Sequence, residues 1–243
     1  MRMKKIVAIA LAATIPLQGL GYAAYAQSAG QVDAEFMGKL EAALEQRPEL
    51  VLMAAQRAQQ RAQQQEQARM NEMAGSVRAE LAKADNPGYV IGNPNGSATF
   101  IEFLDYRCGY CKRAHTEVEK LVDQNSEARV VLVMRPILGP ESETLARFAM
   151  AAGLQGKFHE AHSYLYENTV QANDASLRSA AGTLGLDWNR VQADMTGEKV
   201  TQRLAENNRI SDELNVTGTP FFITPKRVIP GATDAENLKS DIG

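Results

Sequence analysis

The chain has 243 residues, a formal charge of −3, 44% hydrophobic residues and two cysteines. It is longer than one minimal domain requires, its acidic balance excludes a general nucleic-acid role, and no apolar run is long enough to span a bilayer.

The first residues read as an export signal. Arg2, Lys4 and Lys5 form a basic start, residues 6–15 an apolar core, and Ala24-Tyr25-Ala26 a small-x-small cleavage site. The sequence therefore predicts a signal peptide over residues 1–26 and a mature chain from near Gln27 in an oxidising, exported setting. Losing the three basic residues takes the charge to about −6, further from any polyanion-binding balance.

Residues 27–86 read as a helical arm. Phe36, Leu40 and Leu44 recur every fourth position over residues 34–46, the spacing of an amphipathic helix. Pro48 suits the first turn of a second helix, which opens on Leu50, Val51, Leu52 and Met53. Residues 54–69 are almost wholly Ala, Gln and Arg, strong helix formers without bulky core side chains. Met70, Met73, Val77 and Leu81 restore an apolar stripe before the breaker Asp85-Asn86-Pro87-Gly88. A helix over residues 48–84 would be roughly 55 Å long. Its apolar start thus reads as a partner-facing patch on an oligomerisation arm; the alternatives are a helix packed back on its own domain and a linker. No strict heptad persists.

From Ser97 the pattern changes. Residues 98–104 read as a buried strand, 109–124 as a helix with Ala114, Val118, Leu121 and Val122 on one face, and 129–134 as a second strand. The β-branched second run, without alternation, predicts a strand covered on both faces, as in a parallel α/β sheet. A helical block follows over about 141–214. Residues 221–224 and 227–229 then form a hairpin across Pro225-Lys226, and Thr233 with Glu236 has the spacing of a capping box for a short last helix.

Cys108 and Cys111 stand where the strand turns into the helix. That placement sets Cys108 at a helix N-terminus, where unpaired N–H groups stabilise a thiolate, and Arg107 and Lys112 add positive charge nearby. A C-x-x-C disulfide closes too small a loop to constrain the unfolded chain much, so the pair reads as a reactive dithiol. C-x-x-C beside a βαβ pattern points to a thioredoxin-like redox site. Gly218-Thr219-Pro220 immediately precedes a strand; in such a fold this proline is cis and faces the dithiol, and the alternative is a trans proline opening an edge strand.

The segments FLDYRCGYCK and VTGTPFF resemble the DsbA-like family of periplasmic thiol–disulfide oxidoreductases. The helical extension and the Thr-Pro pair are similar to its copper-sensitivity-suppressor (ScsC-like) branch, some members of which oligomerise through such an arm. The resemblance covers residues 90–243 and implies an α/β thioredoxin-like fold with a helical insertion at about 141–214. It makes Cys108 the exposed nucleophile, Cys111 the resolving thiol, and Thr219–Pro220 the loop that docks the substrate backbone. It also implies exported cysteine-containing protein substrates, a membrane redox partner that resets the dithiol, and no organic cofactor. Glu102, in an otherwise apolar strand, becomes a buried acid that accepts or relays the Cys111 proton; the alternative is a surface glutamate. Many relatives pair this acid with a buried lysine, and none stands on the second strand here.

Other signals are weaker. His159 and His162 are half a metal site at best, and His115 reads as a surface or packing residue; no metal site is assigned. A haem attachment motif fails because Lys112, not histidine, follows Cys111. The expected activity is periplasmic exchange of disulfides through Cys-Gly-Tyr-Cys, with Thr219 and the arm favouring isomerase or reductase over oxidase. The competing readings are an oxidase, a Cu(I)-binding protein of copper tolerance, and an adaptor in which the arm is the working part.

Overall fold

The computed structural model describes residues 34–83 and 89–242. The expected export signal, the start of the arm and the breaker at 85–88 lie outside the described residues. The chain divides into two compact units, residues 1–62 and 63–243.

In the first unit, α1 (Ala34–Gln46) is followed by α2 (Glu49–Lys83), which continues into the second unit. Lys39 pairs with Glu35 one turn away at 2.6 Å, the helical spacing that favours such a pair. Phe36, Met37, Val51, Leu52 and Met53 are exposed on these helices. Among the described residues, the first unit therefore carries exposed apolar side chains on both of its helices.

Among the described residues of the second unit, five strands form one sheet in the order β1-β3-β2-β4-β5. These are β1 (Val90–Gly92), β2 (Ala98–Leu104), β3 (Ala128–Met134), β4 (Phe221–Ile223) and β5 (Val228–Pro230). β2 and β3 pair in parallel across α3 (Gly109–Gln124) and are buried along almost their whole length, as their largely apolar runs without alternation require. The outer pairs are antiparallel, so the sheet is mixed. The helical block is α4 (Pro140–Gly153), α5 (Phe158–Glu167), α6 (Asp174–Thr183), α7 (Trp188–Thr196) and α8 (Glu198–Glu213), and α9 (Ala235–Lys239) closes the fold.

Alternate residues of β2 serve opposite layers. Phe100 and Leu104 pack with α3 and the helical block, including Val118, Leu121 and Phe148. Ile101 and Phe103 pack on the other face with Ala74, Val77 and Leu81 of α2 and Ile210 of α8. Arg78 also donates to the Thr224 carbonyl at 2.6 Å. The last turns of α2 thus belong to the core of the second unit, which begins inside the helix rather than at the expected residue 90. The stripe Met73, Val77, Leu81 has a face to cover, whereas the Ala/Gln/Arg stretch has none.

Two local expectations change. β1 was not foreseen, since three residues are too few for a period to show; Gly92 ends it at φ 78°, where a Cβ would sit 2.6 Å from the Ala128 carbonyl oxygen. The cap of α9 is Asp234, not Thr233: its carboxylate accepts the Asn237 N–H at 2.8 Å. Thr233 instead accepts the Asn237 side-chain amide at 2.6 Å.

Candidate active site

The site forms where β2 ends. Buried Asp105 divides its carboxylate between two segments: one oxygen accepts the Arg107 N–H at 2.7 Å, the other those of Ile137 and Leu138 at 2.9 and 3.0 Å. Its carbonyl accepts the Cys108 N–H at 3.0 Å and the Tyr166 hydroxyl at 3.3 Å. One acid thereby ties the turn before the dithiol to the loop after β3.

Cys108 is the N-cap of α3, in extended backbone conformation, and no side chain caps this helix. The first-turn N–H groups of α3 thus have no side-chain acceptor from an N-cap. Its Sγ donates to the Thr219 carbonyl at 3.2 Å. The Thr219–Pro220 peptide bond is cis, as the sequence predicts, and the Pro220 carbonyl accepts the Gly231 N–H at 2.9 Å. Both thiols are free. Cys108 keeps 9% of its surface, more covered than the exposed nucleophile the resemblance implies, while Cys111 is sealed at 0%.

Burial pushes the Cys111 thiol far up, and the charges of Glu102 and Cys108 add to the rise against opposing contacts from Thr219 and Asp105. Glu102 is buried in β2 between Leu132 and Phe222 of the neighbouring strands, and neither carboxylate oxygen has a hydrogen-bond partner. Burial, then the negative charges of Cys108 and Glu119, push its carboxyl up to about 8. Leu132 occupies the strand position beside it, so no lysine answers the acid there.

Behind the dithiol lies a buried group of rings on α3, α5 and the β2–α3 turn. Tyr106 OH and His162 Nδ1 are 3.1 Å apart. His115, 5% exposed, packs edge-on to His162 at 4.9 Å and against Tyr166 at 5.3 Å. Its burial settles the packing reading, while His159 lies at the surface and pairs with Glu119 at 2.9 Å. Among the described residues no group of three or more His, Cys, Asp or Glu side chains could hold a metal.

Around the mouth, Tyr110, Ile137 and Leu138 are exposed. Arg107 pairs with Glu141 at 3.0 Å, and the Arg113 guanidinium sits 4.2 Å over the Tyr110 ring. The structure places Cys108 against Thr219 and the cis proline, with Cys111 one helical turn inside. Sequence reasoning missed Asp105, Tyr106 and Tyr166, and weighed His162 only as half a metal site. Asp105 had a signal, an Asx turn two residues before Arg107; Tyr106 lies in the same turn, but the rings it meets come from α5, too far along the chain to be connected without the fold.

Comparison with known proteins follows the same lines. A thioredoxin-like oxidoreductase from Silicibacter pomeroyi is 36% identical, with TM-score 0.64 over 68% of this chain and 95% of that one. The thiol-disulfide exchange protein alpha-DsbA2 from Wolbachia pipientis is 26% identical, with TM-score 0.64 over 71% and 95%. ScsC from Proteus mirabilis, 23% identical, shares the fold over 87% of this chain and 97% of its own at TM-score 0.62. Among curated relatives, the Na(+)/H(+) antiporter NhaA 1 of Salinispora arenicola is 30% identical over 156 residues, 63% of this chain and 24% of the antiporter. The chain spans about a quarter of the length of those relatives, and no helix among its described residues is long and apolar enough to cross a membrane. The model of the DSBA-like thioredoxin domain matches residues 99–243, from β2 with its dithiol turn to the last helix, and over that stretch the fold is thioredoxin-like. With the dithiol at the head of α3 facing a cis proline ahead of β4, this chain belongs to the DSBA-like thioredoxin domain family.

Proposed function

We propose that this chain is a periplasmic protein thiol–disulfide oxidoreductase acting on exported cysteine-containing proteins, as an isomerase or reductase rather than an oxidase. The observation that carries the reading is the 3.2 Å approach of Cys108 Sγ to the Thr219 carbonyl, with Cys111 sealed one turn inside. A rim thiolate attacks one sulfur of a substrate disulfide, forms a mixed disulfide and releases the other substrate sulfur as a thiolate. Cys111 then attacks Cys108 Sγ, closing the internal disulfide and expelling the substrate thiolate. Isomerisation ends instead when a second substrate thiol attacks and regenerates the dithiol, with no net electron change.

The direction of exchange rests on Thr219 before the proline and on the uncovered apolar face of α1 and early α2, which suits a homo-oligomer. The export signal expected at residues 1–26 supports the compartment, where a membrane redox partner would reset the dithiol. That alpha-DsbA2 is described as a thiol-disulfide exchange protein supports the chemistry.

Replacing Cys111 with serine tests the exchange itself. The variant should accumulate covalent mixed disulfides with exported proteins, and the wild type should restore activity to a scrambled-disulfide substrate. A variant that traps nothing, beside a wild type that binds Cu(I) stoichiometrically, would replace this reading with metal binding.

A further inference from the structure

Among the described residues of the second unit, the large apolar side chains left exposed are Tyr110, Ile137 and Leu138. All three stand at the dithiol. Apolar residues scattered over a surface need no explanation, but a set gathered around one reactive sulfur marks a contact surface. Tyr110 lies between the two cysteines in sequence, and the Arg113 guanidinium sits 4.2 Å over its ring. Ile137 and Leu138 reach the same place from the loop after β3.

That loop is a short lip held at both ends. The Arg135 N–H donates to the Leu104 carbonyl at 2.7 Å where it starts, and Pro140 opens α4 where it stops. Between them the Ile137 and Leu138 N–H groups donate to one oxygen of Asp105 at 2.9 and 3.0 Å. The other oxygen of that carboxylate accepts the N–H of Arg107, the residue before Cys108. Arg107 also pairs with Glu141 at 3.0 Å, so the charges flanking the lip cancel. A buried carboxylate, costly to desolvate, is thus committed to holding two exposed apolar residues beside the dithiol turn. A surface ordered in advance meets a partner without the entropy cost of ordering itself.

The occupant of the lip follows from the chemistry next to it. A chain that reacts at Cys108 is bonded to Sγ, so the residues flanking its own cysteine are held at the turn that Asp105 shares with the lip. Resting on the exchange reading above, we propose that Leu138, with Ile137 and Tyr110, selects substrate segments that carry a bulky apolar side chain within two residues of the reacting cysteine. Such side chains are mostly buried in a native protein and reachable in an unfolded or misfolded one. The substrate class is therefore the disulfide of a non-native exported chain. A small disulfide, or a cysteine flanked by polar residues, gains nothing from the lip.

The test uses the full chain carrying Cys111→Ser and two peptides whose cysteine is joined to thionitrobenzoate, one with leucine and one with serine on both sides of that cysteine. Attack of the Cys108 thiolate on the peptide sulfur forms the protein–peptide disulfide and expels the coloured aryl thiolate, so absorbance reads the rate. The leucine peptide should react about five- to tenfold faster than the serine peptide, the effect of covering a half-exposed leucine. Leu138→Ser should bring that ratio to within about twofold of one, and Leu138→Met should preserve it. A ratio near one before substitution overturns the proposal. So does a Leu138→Ser variant that slows both peptides equally, since the lip then only supports the turn. A drop in scattering mass on Leu138→Ser would assign the lip to a contact between copies and overturn it as well. If neither peptide forms a mixed disulfide, the exchange reading fails and the proposal with it, whereas normal mixed disulfides formed at equal rates remove only the lip.

Discussion

The thiol of Cys108 donates to the carbonyl of Thr219 across 3.2 Å, between residues 111 positions apart. Once that sulfur is a thiolate or carries a substrate, the carbonyl loses its donor and is left to accept a new one. A substrate backbone N–H beside the reacting cysteine is the natural replacement. Peptide disulfides with an N-methylated amide next to their cysteine should therefore react about five- to tenfold more slowly than the unmethylated peptide, the worth of one hydrogen bond. Stopped-flow formation of the mixed disulfide checks this, and equal rates would mean that the loop does not read the substrate backbone.

Glu102 makes the stability of the fold depend on pH in an unusual direction. Its carboxyl titrates at 4.5 ordinarily and at about 8 in the folded protein. Between those values the unfolded chain releases a proton that the folded chain keeps, so stability falls as pH rises from about 4.5 to about 8 and is flat outside that window. The whole fall is on the order of 5 kcal/mol. Glu102→Leu, which suits neighbours Leu132 and Phe222, should raise stability at pH 4.5 by only about 1–3 kcal/mol, the cost of an unpaired buried carboxyl, and by several kcal/mol more at pH 8, where the buried charge is also removed. Urea unfolding of the reduced protein at the two pH values measures both numbers.

Asp105 holds three backbone N–H groups. Asp105→Ala strips the partners from all of them at once, while Asp105→Asn keeps one acceptor oxygen and can serve only one of the two segments. The alanine variant should lose roughly 3–5 kcal/mol and the asparagine variant roughly 1–3 kcal/mol, since each unpaired buried polar group carries its full desolvation cost. Both should also slow mixed-disulfide formation, because the turn before Cys108 and the loop at Ile137 and Leu138 come loose together. Denaturant midpoints and thiol-exchange rates on the same samples separate the two effects.

How much of this was legible in the residues follows from where each signal is local. The runs of β2 and β3 are long, apolar and β-branched, so their limits stood out, and a dithiol at a strand–helix junction with a distant Thr-Pro specified the site. β1 was invisible because three residues carry no period, and it exists only because β3 offers an edge. Glu102 read as a candidate buried acid, but its unpartnered state depends on Leu132 and Phe222, which the sheet brings alongside. The His115, His162 and Tyr166 cluster joins two helices across some fifty residues, and no spacing rule connects them. Asp234 rather than Thr233 caps α9 because both residue types are good N-caps, and backbone geometry, not the capping-box spacing, chooses between them.

The apolar surface of the first unit gives a direct test of the proposed homo-oligomer. Val51 and Leu52 are 52% and 67% exposed on α2, side by side in an apolar cluster of the kind that marks interaction surfaces. Replacing both with aspartate should cost the helix little and reduce the scattering mass to that of a single chain, with dithiol reduction of a small disulfide unchanged and isomerisation of a scrambled protein lowered. A mass that stays the same would move the interface away from this patch.

Where the arm is cut decides whether the catalytic unit survives. A common-sense truncation would end at the Pro87-Gly88 breaker, yet Ala74, Val77 and Leu81 are buried against Ile101, Phe103 and Phe221 of the sheet. Each buried Val or Leu side chain is worth roughly 1.5–3 kcal/mol, and the same cut removes the Arg78 bond to the Thr224 carbonyl. The loss approaches the whole net stability of a domain, which is about 5–15 kcal/mol. It also uncovers the face of β4 that begins directly after Pro220. A fragment of residues 63–243 should fold and retain dithiol reductase activity, whereas residues 87–243 should aggregate or unfold at low urea. If the shorter fragment shows a native denaturation midpoint and full reductase activity, the last turns of α2 are dispensable and the boundary returns to the breaker.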